Sequence, residues 1–186
     1  MVQDVSTATH APPARLSPAA PPRWARVAAH IAALTPLPSA LWRVSLVLGF
    51  SGGFTERGLV DLDVAGWGWI YLLGLSVLTE LAALLTLGLV QPWGETVPRW
   101  LPRLGGRPVP TKPVVAAALI GTVVLMALWT PLLLWWTIPH SDMTAAGATV
   151  VGILYLPLVA WGPLLAAVTV SYALRHRAAA GEWRPT

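Results

Sequence analysis

No cysteine occurs anywhere in the chain. That absence excludes disulfides, thiol catalysis, iron–sulfur clusters and cysteine–zinc sites. Charge is scarce as well: Asp, Glu, Lys and Arg make up 11 % of the 186 residues, against about 25 % in an ordinary soluble domain. So few charges cannot cover the surface of a water-soluble protein of this length. Catalytic signatures are missing too. The sequence holds no HExxH, no GxSxG and no phosphate-cradling glycine loop. The histidines, His10, His30, His140 and His176, never share a helix at ligand spacing, so neither a metal site nor a transmembrane haem pair is expected.

What the chain does have is apolar residues, 55 % of the total, with a mean hydropathy of +0.64. They cluster in long runs. Such runs, solvated by lipid, satisfy their backbone by coiling, whereas barrel strands would alternate apolar and polar over about 10 residues. The expectation is an all-α, polytopic transmembrane bundle with about four spans, at 36–54, 65–90, 114–138 and 147–174. The first is the weakest, because it contains Arg43 and is flanked by Pro36, Pro38, Gly49, Gly52 and Gly53. The fourth contains Pro157 and Pro163, which should kink it.

Around the spans, residues 1–22 read as a disordered Ala/Pro-rich tail rather than a cleavable signal, since no apolar stretch follows a charged start. The membrane domain is expected over 23–178, with a basic loop at 91–113 and a tail at 179–186. Residues 23–34 are amphipathic, with Arg23, Arg26 and His30 on one side and Trp24, Val27, Ala28 and Ile31 on the other. Two placements fit: a helix lying in the interface plane, or the inner end of the first span.

Basic residues alternate along the chain. Arg15, Arg23 and Arg26 precede the first span; the first loop has only Arg57, against Glu56, Asp61 and Asp63. The second loop has Arg99, Arg103, Arg107 and Lys112, the third has none, and Arg175, Arg177 and Arg184 follow the last span. The positive-inside rule then puts both termini in the cytoplasm, at the plasma membrane. The net charge of +4 is read as orientation and attraction to anionic headgroups, with no nucleic-acid partner.

Arg43 and Glu80 are the charges expected at depth, where charge is costly and faces a bundle interior, a partner or water. With Pro36 and Val90 taken as inner ends, they lie about 10 and 15 Å deep at about 1.5 Å per residue. An Arg43–Glu80 pair is expected, either as a register-fixing ion pair alone or as a proton or cation site. Ser76, Thr79 and Thr86, with Ala83, form a small polar stripe beside Glu80, suited foremost to close helix packing. In the second loop Trp93 and Trp100 can anchor in headgroups while Arg99, Arg103 and Arg107 face anionic lipid; the same loop can dock a cytoplasmic protein partner. Asp61 and Asp63 offer at most weak cation binding.

One region resembles a segment of small multi-pass membrane proteins of actinobacteria. The residues that carry it are Leu75, Ser76, Leu78, Thr79 and Glu80, then Gly88 to Glu95, Pro98 to Trp100, Pro102, and Gly105 to Arg107. The resemblance implies a shared four-span architecture and adds weight to Glu80 and the loop. It brings no activity. The expected function is a non-enzymatic accessory, scaffold or lipid-interacting membrane protein without cofactor, able to homo-oligomerise. The alternative is a small oligomeric proton- or cation-coupled transporter or channel using Glu80.

Overall fold

The computed structural model describes residues 18–96, 106 and 109–181, and among them every regular element is a helix. Three helical stretches are long and apolar enough to cross a membrane: Val64–Gly88, Thr111–Thr137 and Ala145–Ala179. They coincide with the second, third and fourth expected spans to within a few residues.

The first expected span differs. Helix α1 (Arg23–Leu34) starts after the extended Pro22, and helix α2 covers Leu37–Val47. Thr35 (φ −59°, ψ −36°) and Pro36 (φ −77°, ψ −21°) keep helical dihedrals between them. The two therefore run on as one bent helix, about 37 Å long at about 1.5 Å per residue. Pro36 and Pro38 withhold two backbone N–H groups, which bends the helix there. Side chains take over part of the bonding: Thr35 Oγ1 donates to the Ala32 carbonyl (2.8 Å) and Ser39 Oγ to the Pro36 carbonyl (2.8 Å).

Beyond Val47 the chain leaves the helix. Gly49, Gly52 and Gly53 all have positive φ, a conformation that glycine adopts without steric cost. The helix thus occupies 23–47 rather than the expected 36–54. Residues 23–34 run on into the helix that holds Arg43 and pack inside the bundle. Ala25, Ala29 and Ala32 are fully buried, while Trp24, Val27 and Ile31 are exposed. Small side chains let α1 lie close against its two neighbours, α4 and α7.

Helix α3 (Glu56–Asp61) is a single short turn region capped by Thr55, whose Oγ1 accepts from Gly58 N (3.2 Å). Asp63 then adopts left-handed dihedrals and its carboxylate accepts from Trp67 N (3.0 Å), opening the irregular turn Val64–Gly68. Helix α4 follows (Trp69–Gly88). Helix α5 (Thr111–Trp129) tightens into a 3₁₀ stretch, Thr130–Thr137, where Pro131 removes a donor. Helix α6 (Ala145–Tyr155) and helix α7 (Leu158–Gly181) meet at a joint containing Pro157.

The inner core is built from Ala25, Ala29 and Ala32 against Ala83, Leu158, Trp161, Leu165, Val168 and Tyr172. A smaller cluster of Leu46, Phe54 and Leu72 sits at the opposite end of the helices. Most large apolar side chains face outward instead, among them Leu41, Leu78, Leu85, Ile120 and Val123. This is the pattern of a bundle whose surroundings are hydrocarbon.

The loops around Gly53–Thr55 and Asp142–Thr144 are tied reciprocally. Thr55 N and Oγ1 both donate to the Asp142 carbonyl (2.9 and 3.0 Å), and Thr144 N and Oγ1 both donate to the Gly53 carbonyl (3.0 and 3.2 Å). At the inner end Arg175 gathers three segments. Its Nη2 donates to the Leu89 carbonyl (2.9 Å) and its Nη1 to the Ala19 carbonyl (3.1 Å), with Glu95 Oε1 at 3.8 Å. Arg175 also lies over the ring of Tyr172.

Candidate functional site

Arg43 lies on α2, and its side chain is 2 % exposed. Buried this deeply in an apolar bundle, the guanidinium is shut off from solvent. Three hydroxyls receive it. Nε donates to Ser76 Oγ (2.8 Å), Nη1 to Tyr155 Oη (3.0 Å) and Nη2 to Thr79 Oγ1 (3.4 Å). The guanidinium also lies 5.7 Å from the Tyr155 ring centroid. Arg43 therefore links three helices: its own, α4 and the end of α6. Hydrogen bonds to a charged group are worth about 1.5–3 kcal/mol each.

The acceptors are fixed by their own helices. Ser76 Oγ donates to the Leu72 carbonyl and Thr79 Oγ1 to the Leu75 carbonyl, both at 2.8 Å. Each hydroxyl thus spends its proton one turn back and turns its lone pairs to Arg43. Trp42 closes the outer side. Its Nε1 donates to the Gly52 carbonyl (2.9 Å), and its rings stand 5.7 Å from both Phe54 and Tyr155.

The structure does not bring Arg43 and Glu80 into an ion pair; the salt bridge found among the described residues is Arg175–Glu95. Arg43 is taken up instead by the hydroxyls of Ser76 and Thr79 on α4 and of Tyr155 at the end of α6. Glu80 is half-buried, and its Oε1 is buried without a hydrogen-bond partner.

Ser76 and Thr79 are part of the site, whereas Thr86 is not. It lies buried further inward, with Trp161 Nε1 at 3.5 Å from its Oγ1. Trp93 is 45 % exposed, and its Nε1 donates to Gln91 Oε1 (2.9 Å). Arg99, Trp100, Arg103 and Arg107 lie outside the described residues. The described residues hold no cluster of His, Asp or Glu that would bind a metal ion.

Sequence reasoning missed Tyr155. Its only signal is position: a phenol inside an apolar run, two residues before Pro157, where the helix is interrupted. Compared with known protein families, curated proteins and solved structures, the chain matches none.

Proposed function

We propose that the chain is a four-crossing integral membrane protein with both ends cytoplasmic, acting as a scaffold or accessory subunit rather than as an enzyme. α1–α2 is taken as the crossing that precedes the three long apolar helices, and basic-residue alternation sets the orientation.

One observation supports the non-transport, non-catalytic reading: most hydroxyls of the apolar helices, and Arg43, are spent on the protein itself. Thr35, Ser39, Ser45, Ser76, Thr79, Thr122 and Thr169 each donate to a backbone carbonyl within the preceding turn. Arg43 takes up the lone pairs of two of them. Apart from Glu80 Oε1, Trp129 Nε1, Tyr172 Oη and Arg175 Nε, which are buried without a partner, this leaves an internally bonded framework, with small loops and a basic inner surface for lipid headgroups or a cytoplasmic partner at 91–113.

A second reading rests on Glu80, whose buried Oε1 lacks a partner. A carboxyl of this kind, one turn from a fixed guanidinium, suits a proton- or cation-coupled carrier. Proteoliposomes separate the two. A scaffold moves no protons or alkali cations down an imposed gradient, and Glu80→Gln is indistinguishable from wild type. Flux that Glu80→Gln abolishes would establish the carrier instead.

A further inference from the structure

The two halves of the chain repeat one another. Val27-Ala28-Ala29 returns as Val115-Ala116-Ala117, and Ala40-Leu41-Trp42 as Ala127-Leu128-Trp129, at near-constant separation. The structure carries the same repeat. Pro22 and Pro110 stand in extended conformation immediately before α1 and α5. Thr55-x-x-Gly58 and Thr144-x-x-Gly147 form the same helix cap, with the threonine Oγ1 accepting from the glycine N at 3.2 and 3.0 Å. After each cap a short helix is interrupted, at Gly66 and at Pro157, before the long inward helix begins. The molecule is two helical hairpins in tandem: α1–α2 with α4, then α5 with α6–α7.

Equivalent helices are not equally covered. The first helix of the first hairpin packs on both sides, against its own partner α4 and against α6–α7 of the second hairpin. Its counterpart α5 packs on its own partner α7 and makes no comparable contact on its other flank. Only 6 % of the apolar window in Thr111–Thr137 is buried, against 33 % in Ala145–Ala179. The alanine face is the sharpest contrast: Ala29 is fully buried, whereas its equivalent Ala117 is exposed. The mirror case holds for the second helices. α7 packs along both α5 and α1, whereas α4 packs along α1–α2 alone and meets α7 only locally, through Trp161 at Thr86 and Arg175 at Leu89.

We propose that these two vacant flanks meet between molecules, α5 of one copy docking on α4 of a second copy. The contact repeats the α1·α7 interface already present within the chain, so its occupant is the hairpin itself. It is a head-to-tail interface, which closes into a ring when the rotation allows. The flanks suit it chemically. Past Lys112, α5 carries no charge, and the free side of α4 presents Leu78, Ala82 and Leu85, all exposed.

Because the chain lacks cysteine, the test is clean. Ala117→Cys is combined in one chain with Leu78→Cys, Ala82→Cys or Leu85→Cys, and native membranes are treated with a mild oxidant. The expected result is a reducible dimer from at least one combination, with Ala117→Cys alone giving none, and a multimeric mass for the wild type in lipid nanodiscs. Ala117→Trp, which touches no core residue, should convert that mass to monomer. A monomeric wild type overturns the proposal. So does an Ala117→Cys dimer formed alone, which would place α5 on α5, and so does a multimer that cross-links through none of the combinations.

Discussion

Arg43 shows how a charge is held in a bundle without a counter-charge. Its three hydroxyl partners come from two other helices, so losing one partner is worse than losing the arginine. Tyr155→Phe or Ser76→Ala leaves a buried N–H unbonded, and each should destabilise the protein by about 1.5–3 kcal/mol, read as a lower melting temperature in detergent. Arg43→Met keeps much of the volume and removes the charge; replacing buried charge by packed apolar groups is often neutral or stabilising. Combined with Tyr155→Phe it should recover much of that loss, since residues in one network are non-additive. Full additivity would contradict the network. Glu80→Gln should not lower stability, because the Glu80 Oε1 has no bond to lose. At this scale the sequence was partly legible. Ser76 and Thr79 stand out as polar residues in an apolar run, but which polar groups near Glu80 meet Arg43 depends on how the helices are rotated against one another. The first helix also begins at Arg23 rather than Pro36. Tyr155 was illegible, since its contact with Arg43 joins residues far apart in the chain.

Among the elements, α4, α5 and α6–α7 could be read directly from hydropathy. Each is a long apolar run in which Gly66, Pro131 or Pro157 disturbs the helix only locally. The first helix could not, for two physical reasons. Pro36 and Pro38 imitate a helix start in the middle of one, and the polar side of α1 (Arg23, Arg26, His30) masks an apolar stretch that begins earlier. The outer caps were hidden for a different reason. Thr55 and Thr144 are ordinary loop residues until the loops meet, when each caps its own helix and grips the opposite strand. Thr144→Val keeps the shape and removes the hydroxyl, so about 0.5–2 kcal/mol of stability should go with the cap. Gly147→Ala should cost more, because a Cβ there would strike the Gly53 backbone. Thermal unfolding of both variants in one detergent gives the order; a milder Gly147→Ala would contradict the close approach of the loops.

For the whole molecule, the account depends on where its surfaces lie. Among the described residues, Arg23, Arg26, Lys112, Arg175 and Arg177 lie at one end of the helices with Glu95, and Glu56, Asp61, Asp63 and Asp142 lie at the other with Arg57. The proposed orientation rests on sequence alone, because Lys and Arg counts need no knowledge of packing. The tandem hairpin was less visible, since in a chain so rich in Ala and Leu short identities carry little until matching caps accompany them. The measurement that bears most directly on the central claim is the accessibility of single cysteines in intact cells to a membrane-impermeant maleimide. Arg57→Cys and Ser141→Cys should label from outside, whereas Ala20→Cys and Gly106→Cys should label only after permeabilisation. Labelling of Ala20→Cys from outside, or protection of Arg57→Cys, would mean that α1–α2 does not cross, and the four-crossing account would fall.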